Sequence, residues 1–425
     1  VITIPVTISD VTDTLQKIIM PYIQDNLPKH TILLDQLKRN AGVTVMNDNF
    51  YAPIRASRHG GVANLANDAS KLVSGETSFD QAQIGVKILT GAFDISDLTI
   101  KATNSDKKAV ATQLTVQAES LASDFARNVN RQMWSDGVGV VGEIAGSVSS
   151  TVFTIVTPTG SIDDGRTIDN YGSVNGDRNV AEYLAPGMLI GIGTAAAAKG
   201  TISSVNAIDS YSGTVHGTIT LTGATATAAN DAIFILDGDL AGAGTAEITG
   251  IRAALSSTTG TSLYATVPRS TVGWAPQFGS VAEALTLSRM ESAYLRAKRF
   301  SKAGDRYAIF VNLSLYKKYG DLLTSMRRSV DTADLLGGWT GLEFAAGAGK
   351  VGVFLDYDVP DGEFYVLNLD TWTICQVGDL GWIDGGTSDM LRRSDYLTYQ
   401  AVMAWYTNLL CLAPAANARE AQKTA

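Results

Sequence analysis

The 425-residue sequence predicts an α+β fold with an all-β segment set inside it. Three observations carry that prediction. Residues 106–134 hold a single apolar stripe of helical period. Residues 137–250 consist of short β-branched runs separated by glycine, with almost no lysine or arginine. Residues 396–418, YLTYQAVMAWYTNLLCLAPAANA, contain no charged side chain.

The chain is long enough for two or three domains. Forty-one glycines, ten prolines and 18% charged residues describe an ordered protein rich in turns. A net charge of -9 argues against tight nucleic-acid binding through phosphate neutralisation, although it leaves room for a surface that sits beside DNA. Cys375 and Cys411 lie in apolar runs and are expected to be buried free thiols. The uncharged run is long enough to cross a bilayer. Thr398, Gln400, Thr407, Asn408 and Pro414 interrupt it, however, and its aromatics sit in the middle rather than at the ends. It is read as buried strand, with no membrane partner.

Residues 1–42 read as an arm. Asp10 or Thr12 caps a helix whose stripe is Leu15, Ile18, Ile19, Tyr22 and Ile23, with Pro21 as a kink or stop. Residues 43–104 hold strand-like pieces at Val43–Ser57 and Gln83–Thr90. In the second, Ile84, Val86 and Ile88 alternate with polar or small residues. The stretch between them carries few large apolar residues (Leu65, Leu72, Val73, Phe79), so this excursion needs a neighbour to lie on. In residues 105–137, Val110, Leu114, Ala118, Leu121, Phe125 and Val129 form the helix stripe. Glu119, Asp124, Arg127 and Arg131 fall on the other side. The strands of 138–250 are STVFTIVTP, GMLIGIG, GTISSVNAI, GTITLTG and DAIFILDG, the pattern of a small barrel or sandwich. In residues 251–425, Ser280 and Glu283 suggest a capping box, YAIFV a buried strand, 314–327 a helix, and Pro360-Asp361-Gly362 the turn of a hairpin.

Catalytic signals are weak. Gly137-Val138-Gly139-Val140-Val141-Gly142 matches GxGxxG, but a dinucleotide site needs that motif between a strand and a helix. Here a helix precedes it and strands follow, so it reads as a linker. His30, His59 and His216 are scattered without metal-ligand spacing. Asp163, Asp164, Asp169 and Asp177, or Asp237 and Asp239, do not match a calcium loop. No enzyme activity, cofactor or metal is expected.

The order of parts resembles the major capsid protein of tailed bacteriophages, the Hong Kong 97 fold. AEITGIRAAL, YATVPRSTVGWAPQ, VGVFLDYDVPDGEFYVLNLDTWTICQVGDLGWID and DYLTYQAVMAWYTNLLCLAPAANARE are similar to passages of that family. The resemblance implies an N-arm at 1–42, an E-loop at 43–104, a spine helix of the peripheral domain at 105–137, and an inserted all-β barrel or sandwich at 138–250. The axial domain and returning peripheral strands fall at 251–425. It implies a virion shell subunit, assembled in the host cytoplasm into hexameric and pentameric capsomers, with scaffold, portal and decoration proteins as partners. The shell encloses double-stranded DNA without sequence-specific binding. Leu15, Ile18, Ile19, Tyr22, Leu65, Leu72, Phe79, Lys87 and Phe93 are the expected intersubunit contacts. Some members of the fold crosslink an E-loop lysine to an asparagine. Lys71, Lys87 and Lys101 have ordinary solvated surroundings, and Asn408 reads as satisfying buried backbone, so no crosslink is expected. An encapsulin-like compartment shares the fold, and a β-rich surface or adhesive protein accounts for 138–250 alone.

Overall fold

The β-branched and aromatic run Tyr307–Val311 forms the middle strand of a seven-stranded sheet in the computed structural model. The structure describes residues 32–40, 42–62, 64, 74–97, 107–137, 139–144, 149–156, 180–192, 198–207, 215–226, 231–235, 247–256, 263–271, 273–325, 332–334, 340–346, 349–360, 362–383, 390–392 and 397–424. They divide into two compact units. One gathers residues up to Gln36 with Val86–Arg131 and Gln376–Thr407. The other gathers Leu37–Gly85, Gln132–Cys375 and Asn408–Ala425.

In the second unit the sheet order is Gln277–Ala284, Ala418–Thr424, Phe364–Asn368, Tyr307–Val311, Gly349–Leu355, Thr340–Ala346 and Thr332–Asp334. The hairpin expected around Pro360 does not form. Gly349–Leu355 pairs in parallel with Tyr307–Val311, and Phe364–Asn368 pairs with its other edge in antiparallel fashion. An apolar strand such as YAIFV leaves costly unpaired backbone unless both edges are filled, and these two segments fill them.

Register assigns the faces. Ile309 lies beside Val353 and Val366, Val311 beside Phe364, and Phe344 beside Val351. This face carries two helices, Leu287–Lys298 and Leu313–Ser325. Tyr294 of the first meets Tyr307 edge-on at 5.4 Å, and Tyr319 of the second meets Phe344 at 6.2 Å. On the opposite face, Phe310 and Tyr365 pack on Trp134 at 5.4 and 5.2 Å, and Trp134 Nε1 donates to Asp356 Oδ2 at 3.0 Å. The first helix is capped by Thr286, whose side chain accepts from Arg289 N. The expected capping box is absent because Ser280 and Glu283 lie in the edge strand, paired with residues 421 and 423.

Ala418–Thr424 carries two adjacent buried charges to opposite faces. Arg419 donates to Glu363 through Nε at 3.0 Å and Nη2 at 2.7 Å, and Arg252 approaches the same carboxylate at 3.4 Å. Tyr365 also donates to Glu363. Glu420, fully buried, accepts from Arg289 at 2.8 Å and from Arg296. Gly279 faces it closely, since a Cβ there would collide with the Glu420 carboxylate. Asn417 accepts from Asn368 N and Trp372 Nε1 and donates to Thr371 Oγ1 and the Ala413 carbonyl. Cys375 and Cys411 are buried free thiols, and burial pushes both up to about 12.

Six strands close a barrel in the order Val215–Ala226, Ser149–Val156, Val140–Ile144, Ala232–Ile235, Leu189–Ile192 and Ala198–Ala207. Its interior is filled by Val141, Ile144, Phe153, Ile155, Ile190, Ile192, Ile202, Ile219, Leu221 and Ile233, as a barrel of this size requires. Gly137 and Gly139 both take positive φ and lead into a strand, not a helix. The GxGxxG stretch therefore supplies a barrel strand where the sequence predicts a linker.

The helix Lys107–Trp134 runs for 28 residues, about 42 Å at the usual rise, and belongs to the first unit as far as Arg131. It matches the expected helix to within a residue. Ala118, Ala122, Phe125, Ala126 and Val129 are buried along it, and Leu121 and Phe125 sit over Gly91 of the sheet. Arg131, expected on the solvent side, is buried, with Asn128 Oδ1 accepting from its guanidinium at 2.9 Å. Residues 129–134 are all buried, so near this end the one-stripe rule no longer applies. The uncharged run forms Thr398–Cys411, a 14-residue strand. Lys87–Ser96 pairs along one side of it, and Gly381–Trp382 and Met390–Arg392 along the other. Among the described residues no helix is long and apolar enough to cross a membrane.

Gly279→Ala is expected to lower unfolding free energy by about 1–3 kcal/mol, because the methyl displaces a carboxylate already held by two arginines. Gly320→Ala, in a helix and with nothing near its added methyl, is expected to raise it by about 0.5–1 kcal/mol. Urea unfolding of both variants checks the pair.

Burial alone pushes the Glu363 carboxyl up, but Arg419, Arg252 and the hydrogen bonds from Arg419 and Tyr365 outweigh it and hold its pKa below the ordinary value. A depressed carboxylate stabilises the fold fully above its unfolded pKa, and that contribution is lost as pH falls through the folded value. Stability is therefore expected to be flat above about pH 5 and to fall on acidification. Glu363→Gln is expected to cost about 3–5 kcal/mol near neutrality and to flatten the acid limb, read by urea unfolding across pH.

Candidate assembly surfaces

Asn49–Arg55 and Phe79–Gly85 pair in register from Asn49↔Gly85 to Arg55↔Phe79, and Thr44–Met46 adds a third strand. Asn47 and Asp48, at φ 47° and 58°, make the tight two-residue turn that such a hairpin favours. The ladder extends outward through Ala56 N to the Ser78 carbonyl at 2.9 Å and Gly60 N to the Glu76 carbonyl at 3.2 Å. Alternation divides the hairpin into two faces. Phe50, Ala52, Ile54, Ala82 and Ile84 are buried, while Pro53, Arg55, Phe79 and Gln81 point outward. Phe79 is 74% exposed, a large apolar ring beside Arg55 that the described residues leave largely uncovered.

The alternation expected through Ile84, Val86 and Ile88 is broken. One strand ends at Gly85 and the next begins at Lys87, so Ile84 is buried and Ile88 is exposed. The chain passes from one unit to the other between Gly85 and Val86, and the phase restarts there. Asn408 closes this junction within the second unit. Its Oδ1 accepts from Thr249 N and Leu409 N, and its Nδ2 donates to the Gly85 carbonyl, the backbone role its setting predicts.

Of the other expected contact residues, Lys87 and Phe93 belong to the sheet of the first unit. Lys87 is half-buried opposite Thr407. Phe93 meets Trp382 edge-on at 5.8 Å. Leu15, Ile18, Ile19, Tyr22, Leu65 and Leu72 lie outside the described residues.

A groove of about 810 Å³ in the second unit is lined by Ile54, Trp274, Phe300, Leu412 and Ala415, with Pro53 at its edge. At its rim Lys38 Nζ stands 2.9 Å from Asp370 Oδ1, and Arg306 3.4 Å from the same oxygen. Burial pushes the Asp370 carboxyl up, but these cations and the Arg306 backbone N–H hold it below the ordinary value. The groove had no signal in the sequence. Its lining comes from six separated stretches, none of which is distinctive by itself.

No protein-family model matches the sequence, and no curated protein does. Among solved structures the chain is similar to one from the capsid asymmetric unit of cyanophage A-1(L), at 13% identity and a TM-score of 0.52, covering 93% of each chain. A capsid chain of a native GTA particle aligns at 12% identity and a TM-score of 0.44, over 92% of this chain and 90% of that one. An encapsulin complex from Synechococcus elongatus PCC 7942 gives 8% and 0.43, over 92% and 87%. The likeness to the cyanophage chain defines a mixed α and β capsid-protein fold.

Phe93→Ala is expected to destabilise the subunit by about 2–4 kcal/mol, since it strips a packed ring from the sheet. Phe79→Asp is expected to leave the isolated subunit within about 0.5 kcal/mol of wild type, since that ring is largely exposed among the described residues. Thermal or urea unfolding of unassembled protein measures both.

Proposed function

We propose that this protein is the major capsid protein of a tailed bacteriophage, a shell subunit that self-associates into hexameric and pentameric capsomers around double-stranded DNA. The observation that carries the reading is the capsid-protein fold, matched to the cyanophage A-1(L) chain over 93% of both chains. The exposed outer face of the hairpin supports it, because a ring as uncovered as Phe79 is suited to burial by a second copy.

In this reading residues 1–42 are the N-arm, 43–104 the E-loop region, 105–137 the spine helix and 138–250 a barrel domain inserted before the axial part. Leu15, Ile18, Ile19, Tyr22, Leu65, Leu72, Phe79, Lys87 and Phe93 are the residues assigned to contacts between copies. Scaffold, portal and decoration proteins are its expected partners, and the virion its location.

Electron microscopy and sedimentation of the purified full chain test the reading. Wild type is expected to give shells or capsomers, and Phe79→Asp to remain a folded, unassembled subunit. A wild-type chain that stays monomeric at all concentrations and salts overturns the shell reading. Shells that hold protein cargo and no nucleic acid would favour the encapsulin-like alternative.

A further inference from the structure

Charge is distributed unevenly along this chain. Residues 138–250 hold eleven acidic and three basic side chains, whereas residues 286–325 hold eight basic and three acidic. The basic stretch comprises the two helices on one face of the seven-stranded sheet, with the turn and the central strand Tyr307–Val311 that join them. Four of its cations have structural duties. Arg289 and Arg296 hold Glu420, Arg306 meets Asp370, and Lys298 lies on the Tyr294 ring.

The remaining four, Arg299, Lys302, Lys317 and Lys318, make no ion pair among the described residues. The first three are exposed and Lys318 is half-buried. Arg299 is propped on the partly exposed Phe300 ring, which holds its guanidinium out over the surface. A helix dipole accounts for cations in the last turn, here Arg296 and Lys298. It does not account for Lys302 in the following turn, nor for Lys317 and Lys318 inside the next helix.

We infer that the exposed cations of the turn at 299–302 and of Leu313–Ser325 form the surface on which double-stranded DNA lies, held through its phosphates. The inference rests on the shell reading above, which supplies the DNA. Lysine and arginine heads on a helix layer suit phosphate contacts, which position a duplex without reading its sequence. Four such contacts are few enough to confine DNA without gripping it, in keeping with a chain of net charge -9. Residues 138–250 offer the same polymer mainly repulsion.

The test is binding of the full-length protein to a labelled duplex of about 30 base pairs, by fluorescence anisotropy over a range of salt. The triple variant Arg299→Gln/Lys302→Gln/Lys317→Gln is compared with Arg55→Gln/Arg58→Gln on the hairpin. Affinity is expected to fall at least about tenfold in the triple variant at low salt, with the salt slope smaller by about 2–3, and to change little in the hairpin variant. A triple variant that binds like wild type overturns the inference, as does a wild-type protein that prefers polyglutamate to the duplex. Electron microscopy separates the two ideas. Shells from a triple variant with unchanged duplex binding sink the DNA surface and keep the shell reading. Loss of duplex binding in a chain that never forms shells keeps the surface and sinks the shell.

Discussion

The placement of Ala418–Thr424 between two other strands is the constraint on which the second unit depends. Arg419 lies beside Tyr365 and Glu420 beside Phe364, so neighbouring charges point to opposite faces of one buried strand. Burying either charge alone would cost several kcal/mol. Each is met by opposite charge already waiting on its own face: Glu363 for Arg419, Arg289 and Arg296 for Glu420. A slip of one residue would turn Glu420 toward Glu363 and Arg419 toward the two arginines. Only one register satisfies both faces, so the ion pairs act as a key for alignment more than as a source of stability.

That key also places the rest. Glu363 ties Arg252 of the short helix Ile251–Ala254, and Glu420 fixes the helix that leads into the basic turn. Asn417, one residue earlier, orders the turn at 368–372. A seven-stranded sheet, its helix layer and the lip of the groove are thus aligned from a few adjacent side chains.

Elements that depend on their own residues were readable from sequence. The long helix, the strand at 398–411 and five of the six barrel strands follow from periodicity and β-branched runs. Elements that depend on distant partners were not. Nothing in residues 349–368 announces that Tyr307–Val311 will come between them, and Val140–Ile144 looks like a glycine linker until five other strands need a sixth. Arg131 has the chemistry of a solvent-facing residue and is buried by surroundings its own helix does not encode. Of the contact residues expected from sequence, Phe79 stands on an open face and Phe93 is engaged by Trp382. The alternating pattern alone gave no means of separating the two.

The sheet order has a consequence in time as well as in space. Gln277–Ala284 pairs in parallel with Ala418–Thr424, so the helices, the central strand and the turn region must all be made before that edge can close. Until then, on the ribosome, Phe364–Asn368 keeps one edge unpaired, Glu363 lacks Arg419, and Arg289 and Arg296 await Glu420. Long-range parallel pairing is slow, and an open apolar edge is a site for wrong association. In a nascent chain of this kind, wrong pairing at that edge competes with the native strand. The step that completes the sheet also brings Glu420 to the helix that leads into the basic turn, so that turn settles late in folding.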